Sequence, residues 1–437
     1  MSKLPLGWAE ATLSEFGVEA QSGFPSGKHN AEGRGVPHLR PMNIDRLGRI
    51  DLEEIKYVED DRNRRLEVGD VLFNNTNSPV LIGKTAYFDR PGNYAFSNHM
   101  TRLRSPAGVD PKFLAIQLHT FWMRGVFQRL CSHHVNQASV SSTRLLSEID
   151  IALPPLNEQR RIVAAIEEQL SRLDAADASL AAALTRLEGL KLAAYRATLD
   201  SDLPTRPLSS VADVRLGRQR SPKNHTGPNM RPYLRAANVT WSGLDLSDVK
   251  EMHFTPDEVS TYRLEPGDLL VAEASGSQSE VGKTVIWKGQ IEDCCFQNTL
   301  LRVRSRGPLP EFLAVILQYS ALSGAFGRAS PGVGIHHLGA ARLTPWPIPV
   351  PPLEEQRRIV ARVEEQLAAV DALRAAIERA QRRSATLRRA VLERAFRGEL
   401  VPQDPSDEPA ATLLTRIRAE RDTTDKDNRH PRRRMRG

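Results

Sequence analysis

Residues 154–175 of this 437-residue chain, PPLNEQRRIVAAIEEQLSRLDA, return at 351–372 as PPLEEQRRIVARVEEQLAAVDA, with 16 of 22 positions identical. Two unrelated amphipathic helices would not agree so closely, so the chain is built as two halves and one scaffold must serve both. Fainter echoes precede each copy. Pro37-His38-Leu39-Arg40 with Asn43 answers Pro232-Tyr233-Leu234-Arg235 with Asn238, and Arg65-Leu66-Glu67-Val68-Gly69-Asp70 answers Arg263-Leu264-Glu265-Pro266-Gly267-Asp268. Gly83-Lys84-Thr85 matches Gly282-Lys283-Thr284, Phe96 with Asn98 matches Phe296 with Asn298, and Phe113-Leu114-Ala115 matches Phe312-Leu313-Ala314. Between these landmarks the text diverges freely, as in Asn74-Asn75-Thr76-Asn77-Ser78 against Ala272-Glu273-Ala274-Ser275-Gly276.

Before each copy, short apolar runs follow Gly, Pro, Asn and Asp, as in Asp70-Val71-Leu72-Phe73 and Asp268-Leu269-Leu270-Val271. These read as short strands, and 110–130 and 309–326 have helical spacing. After Pro155 and Pro352 come some 40 residues rich in Ala, Leu, Glu, Gln and Arg, which predict long helices. Ile166, Leu170, Leu173, Leu180, Leu184 and Leu187 keep a heptad spacing broken at Asp177. Val363, Leu367, Val370 and Ile377 keep it too, broken at the counterpart of Asp177, Arg374. Laying the helices against each other buries both stripes. Residues 157–199 as helix would make a rod of roughly 64 Å. The expected fold is therefore α+β, with two mixed α/β domains, 1–153 and 201–350. Helical spacers 154–200 and 351–400 join them as an antiparallel coiled coil with a pseudo-two-fold internal repeat. A C-terminal tail, 401–437, is expected to be partly disordered, with a short helix over 412–421 and no order from Asp422 onward.

Lys plus Arg number 60 against 53 Asp plus Glu, a net charge of +7, which leans toward a polyanionic partner. Three cysteines, Cys131, Cys294 and Cys295, make no disulfide framework and no C-x-x-C pair. A reducing cytoplasm is the expected location. No stretch reaches the apolar length of a membrane span, and Met1-Ser2-Lys3-Leu4-Pro5 opens no signal peptide.

Several chemical motifs fail on inspection. A phosphate loop around Gly83-Lys84-Thr85 or Gly282-Lys283-Thr284 would need glycine at 78 and 277, where both residues are serine. The tripeptides read better as turns entering strands. Asp51 stands too near Glu54-Ile55-Lys56 for a nuclease metal site, and no Asn-Pro-Pro-aromatic stretch exists to grip a flipped base. His133-His134 and His336-His337 fall shortly before each helical segment and are read as corresponding pairs. Adjacent histidines diverge on a strand or helix, so no metal site is expected.

The phrase Pro-Pro-Leu-x-Glu-Gln-Arg-Arg-Ile-Val at 154–163 and 351–360, with the exit Ala395-Phe396-Arg397-Gly398-Glu399-Leu400-Val401-Pro402-Gln403, resembles the specificity subunits of type I restriction-modification systems. The resemblance covers about residues 5–421. It implies two target-recognition domains and no catalysis in this chain. The implied partners are double-stranded DNA, two modification (methyltransferase) subunits using S-adenosylmethionine, and restriction subunits using ATP and Mg. The chain itself is expected to hold no cofactor or metal, and no membrane. Docking of those subunits is assigned to the repeated Glu158, Gln159, Arg160 and Arg161 and to Glu355, Gln356, Arg357 and Arg358. The family reads split targets, and half-sites about one helical turn apart, ~34–36 Å, suit a rigid spacer.

Base reading needs amide, guanidinium and hydroxyl groups on loops. The candidates are Asn74, Asn75, Asn77 and Asn98 in the first domain, and Ser275, Ser277, Gln278 and Asn298 in the second. Lys28, Arg34, Lys84, Lys223, Arg231 and Lys283 are candidate phosphate contacts, and His133, Asn136 and His336 candidate base or phosphate contacts. Two rivals stand beside this reading: a DNA endonuclease or methyltransferase acting alone, and a coiled-coil structural adaptor without a DNA role.

Overall fold

A computed structural model describes residues 4–59, 63–134, 137–199, 203–275, 280–329 and 336–429. The chain divides into two compact units, Met1–Asp177 with Arg382–Gly437, and Ala178–Gln381. Each contains one mixed α/β domain and a stretch of both long helices.

The two domains repeat one topology. In the first, a four-stranded antiparallel sheet runs in the order Glu19–Ser22, Met100–Arg104, Val71–Asn74, Thr85–Tyr87. In the second the order is Ala212–Leu216, Leu300–Ser305, Leu269–Ala272, Thr284–Ile286. Val71, Leu72 and Phe73, like Leu269, Leu270 and Val271, are buried, which is why they read as unbroken apolar runs. A smaller three-stranded sheet accompanies each: Lys56–Val58, Val36–Leu39, Ala95–Phe96 in one and Lys250–His253, Met230–Leu234, Cys295–Phe296 in the other. Helices Pro111–Met123 and Pro310–Leu322 cover the larger sheets. Each stops before a glycine in the left-handed region, Gly125 at φ 69° and Gly324 at φ 73°, and a short helix follows.

The repeated landmarks earn their recurrence through bonds. Asp70 accepts from the Glu67 N–H at 2.8 Å and from Arg104 Nε at 2.7 Å. Asp268 accepts from the Glu265 N–H and from Arg304 Nε, both at 2.7 Å. The Gly-Lys-Thr tripeptides enter strands as turns. A Cβ on Gly83 would lie 2.2 Å from the Phe127 ring, and one on Gly282 2.2 Å from Phe326, so glycine is required at both.

The long helices are Leu156–Thr198 and Leu353–Ala395. Within the first unit Arg388 donates to Asp174 at 2.7 Å and to Asp177 at 3.5 Å, and Leu392 joins the core that holds Ile162, Val163 and Ile166. Within the second, Arg374 pairs with Glu188, Lys191 lies 3.7 Å from Asp371, and Thr198 bonds Gln366 at 3.5 Å. In both units one number rises as the other falls, so the helices pair antiparallel. Each break in the heptads, Asp177 and Arg374, takes part in an ion pair that crosses between the helices. Polar groups at core positions of this kind fix register at some expense of stability.

The Gln of the repeated phrase clamps each domain to its helix. Gln159 is fully buried; its Oε1 accepts from the Asp110 N–H at 2.7 Å, and its Nε2 donates to Gly108 O at 3.1 Å and Pro154 O at 2.9 Å. Gln356 accepts from the Leu309 N–H and donates to Pro351 O, both at 2.8 Å. Asp110 and Leu309 are the N-caps of the two domain helices. Glu158 is buried as well and accepts from Trp8 Nε1 at 3.0 Å. Burial pushes its carboxyl above the ordinary range, against that hydrogen bond.

These facts correct the docking assignment for Glu158, Gln159 and Gln356, whose side chains face inward and are already bonded. Arg161 is held by Asp407 at 2.7 Å, and Glu355 pairs with Arg358 and Arg357 with Glu354. Arg160, Arg357 and Arg358 remain exposed.

The tail also departs from expectation. A helix spans Ala410–Arg429, continuing past Asp422. Ala410, Leu413, Leu414 and Ile417 enter the core of the first unit. Once that first stretch is anchored, each further residue extends a helix at little cost, so an apolar face is not needed along its whole length.

Candidate nucleic-acid interface

In each domain one buried residue ties three distant segments into a common border. Asn75 donates its N–H to His99 O at 3.1 Å and accepts from the Val140 N–H at 2.9 Å. Its Nδ2 donates to Asn98 O at 3.1 Å and to Thr101 Oγ1 at 2.9 Å. Beyond it, strand Thr76–Asn77 pairs with Gln137–Ser139, which pairs with Ser132–His134. The structure thus brings Asn77, Asn98 and His133 to neighbouring segments of one loop-rich border. In the second domain Glu273 stands in that place, donating its N–H to Thr299 O at 3.0 Å and accepting from the Leu338 N–H at 2.8 Å. Strand Ala274–Ser275 pairs with His336–His337, with Ser275 opposite His336. The Glu273 carboxylate turns to His337 Nδ1 at 3.2 Å. The backbone is the same and the chemistry differs.

A second border adjoins the first. A Cβ on Gly23 would lie 2.1 Å from Phe96 O, and one on Gly217 2.2 Å from Gln297 O, so glycine lets each chain pass closely before an exposed loop begins. Asn98 donates its N–H to Phe24 O, and Asn298 donates its N–H to Arg218 O, which sets each loop beside its asparagine. The first loop frames an open cavity of about 640 Å³ lined by Lys28, His29, Asn30, Arg34 and Glu59. The second exposes Gln219, Arg220, Lys223 and His225. Under the first loop His29 Nε2 meets His38 Nδ1 at 3.0 Å. Burial, then His29, lowers His38 to about 4, so this pair stays neutral at physiological pH.

The structure corrects several expectations. Asn74 and Asn75 are buried, with Asn74 Nδ2 donating to Pro41 O at 3.0 Å, so they shape the border and do not present amides to bases. Lys84 is buried with its ammonium on Ile44 O, and Lys283 pairs with Glu280, so neither is poised on a phosphate. The two histidine pairs do not correspond. His336-His337 lie on the strand equivalent to Ala138-Ser139, whereas His133-His134 lie on the adjoining strand. Arg34 is exposed but paired with Glu32 at 2.9 Å and Glu59 at 3.4 Å, and Arg231 lies 3.8 Å from Asp293. Lys28 and Lys223 are exposed on their loops. Asn136, Ser277 and Gln278 lie outside the described residues, and of Ser275 the backbone alone is described. The sequence alone does not single out Gln219, Arg220, His225 or Glu273. Aligning Gly23 to Lys28 with Gly217 to Lys223 was the available signal for the loop.

The family model for the type I restriction modification DNA specificity domain matches residues 5–185 and again 201–382. The chain is similar over 96% of its length to the type I restriction enzyme EcoKI specificity subunit of Escherichia coli K12, at 25% identity and 96% coverage of that protein. It is equally similar to the StySPI specificity subunit of Salmonella potsdam, at 25% identity and 96% coverage of both chains. In fold it agrees with a chain from a structure described as "Structural basis underlying complex assembly and conformational transition of the type I R-M system". The TM-score is 0.70 at 23% identity, over 91% of this chain and 100% of that one. The HsdS subunit from Thermoanaerobacter tengcongensis gives a TM-score of 0.56 at 22% identity, over 91% and 98%. With two matched segments spanning most of its length, the chain belongs to the type I restriction modification DNA specificity domain family.

Proposed function

We propose that this chain is the DNA-reading specificity subunit of a type I restriction-modification complex. Its two domains each read one half of an asymmetric, bipartite target, and its helices carry the modification subunits. The carrying observation is the twice-built border: one backbone arrangement, centred on Asn75 and on Glu273, holds unlike side chains in the two halves. A reader of two different half-sites needs that combination, because scaffold positions the protein and loop chemistry selects the bases.

The chain does no chemistry itself in this reading. Two modification subunits supply S-adenosylmethionine-dependent adenine methylation. Restriction subunits supply ATP- and Mg-dependent cleavage, and the assembly works in the cytoplasm. No described helix is long and apolar enough to cross a membrane.

Mapping methylated adenines in the source cell with and without this gene tests the proposal. One split, asymmetric motif should vanish with the gene; a contiguous motif, or no change, would overturn it. Turnover by the purified chain with S-adenosylmethionine or Mg would favour the stand-alone enzyme. Failure to bind duplex DNA with a steep salt dependence, alone and with the modification subunit, would favour the adaptor.

A further inference from the structure

The two halves contain the same groove, and in one of them a lysine of the chain itself pairs with the glutamate that lines it. In the first unit a cavity of about 380 Å³ between recognition domain and long helices is bounded by Lys112, Ile116, Glu167, Leu170 and Leu392. In the second, one of about 380 Å³ is bounded by the repeat counterparts Glu311, Val315, Glu364, Leu367 and Tyr195. Lys112 donates to Glu167 Oε1 at 2.7 Å, and its ammonium lies 5.5 Å from the centre of the Tyr87 ring. In the second unit Glu311 replaces that lysine and Ile286 replaces the tyrosine. Glu311 and Glu364 therefore line one groove as two carboxylates, and among the described residues neither has an ion-pair partner, although Lys288 also lines the cavity.

The floor between them is apolar, with Ile286, Ala314, Val315 and Val363. Two carboxylates repel phosphate, so this groove suits protein and not DNA. A cation placed between them would complete the arrangement that the first unit makes with Lys112, and charge pairs of this kind set partner orientation.

We infer that the groove of the second unit receives a lysine or arginine flanked by apolar side chains, presented by one modification subunit, and that the first unit makes no such contact. This rests on the specificity-subunit reading and adds the place and chemistry of one contact.

The test is Glu311→Lys in the full chain, titrated with the purified modification subunit and followed by native mass spectrometry. The substitution supplies an internal partner for Glu364, so the thermal midpoint should hold or rise. Wild type should take two copies. The variant should take one normally and the second about tenfold more weakly or not at all. The double variant Glu311→Gln/Glu364→Gln should give the same loss without reversing charge. Unchanged binding of two copies by both variants would overturn the groove while leaving the specificity-subunit reading intact, and so would equal loss of both copies. A wild-type chain that takes no modification subunit would overturn that reading and the groove with it.

Discussion

His38 and His119 lie buried in the first recognition domain, 1% and 6% exposed, and lowering the pH from 7 to 5 measures what that burial costs. Burial comes first among the causes that lower each to about 4. His29 and Arg40 reinforce it at His38 and Lys84 at His119, where Asp45 opposes it. In an unfolded chain both titrate near 6.5. Below that value the unfolded chain takes up protons that the folded domain refuses, so stability is full above pH 6.5 and falls as the pH drops toward 4. At pH 5, relative to pH 7, each histidine removes about 2 kcal/mol, and the pair about 4 kcal/mol, a large share of the 5–15 kcal/mol typical of a domain. The counterparts in the second domain are Tyr233 and Gln318, so neither place holds a histidine there. Amide hydrogen exchange, corrected for its intrinsic pH dependence, should therefore show strand Val71–Asn74 losing protection between pH 7 and 5 while Leu269–Ala272 keeps most of its own. His119→Gln, the residue its sister domain uses, should remove about half of the difference. Equal loss in both strands, or an unchanged pH dependence in the variant, would refute the reasoning.

Gln159→Ala should lower stability by about 2–3 kcal/mol in denaturant titration, because it strands a buried N–H and two carbonyls; Gln356→Ala should act likewise in the other unit. Arg388→Ala, which removes the cation that the second long helix sets against Asp174 and Asp177 of the first while Asp174 keeps Arg49, should cost about 1–2 kcal/mol, with Arg388→Met milder, in the same assay. Lys223→Ala should weaken duplex binding evenly across sequences and reduce the slope of log K against log salt by about 1, as expected of a phosphate contact.

The helices and their pairing were legible because a long heptad stripe has few ways to be buried: 157–199 was expected and Leu156–Thr198 is found. Strands Val71–Asn74 and Leu269–Ala272 were legible for the same reason. What the residues concealed was which polar groups face inward. Asn75 in a loop-like run reads as a surface amide, yet a junction of three segments needs a buried donor for the carbonyl of Asn98. Lys84 follows a turn glycine and looks solvated, yet its stem crosses the core to Ile44 O. The repeated Glu-Gln-Arg-Arg reads as a shared docking surface, although a glutamine clamping a helix N-cap recurs just as faithfully. The histidine pairs were misaligned because a dipeptide does not reveal which strand of a hairpin carries it; pairing partners do.

The most direct test of the bipartite reading exchanges residues 1–153 for the matching domain of a relative and maps methylated adenines in cells carrying the hybrid with its modification subunit. One half of the motif should change while the other half and the gap stay as they were. A change in both halves would contradict the account.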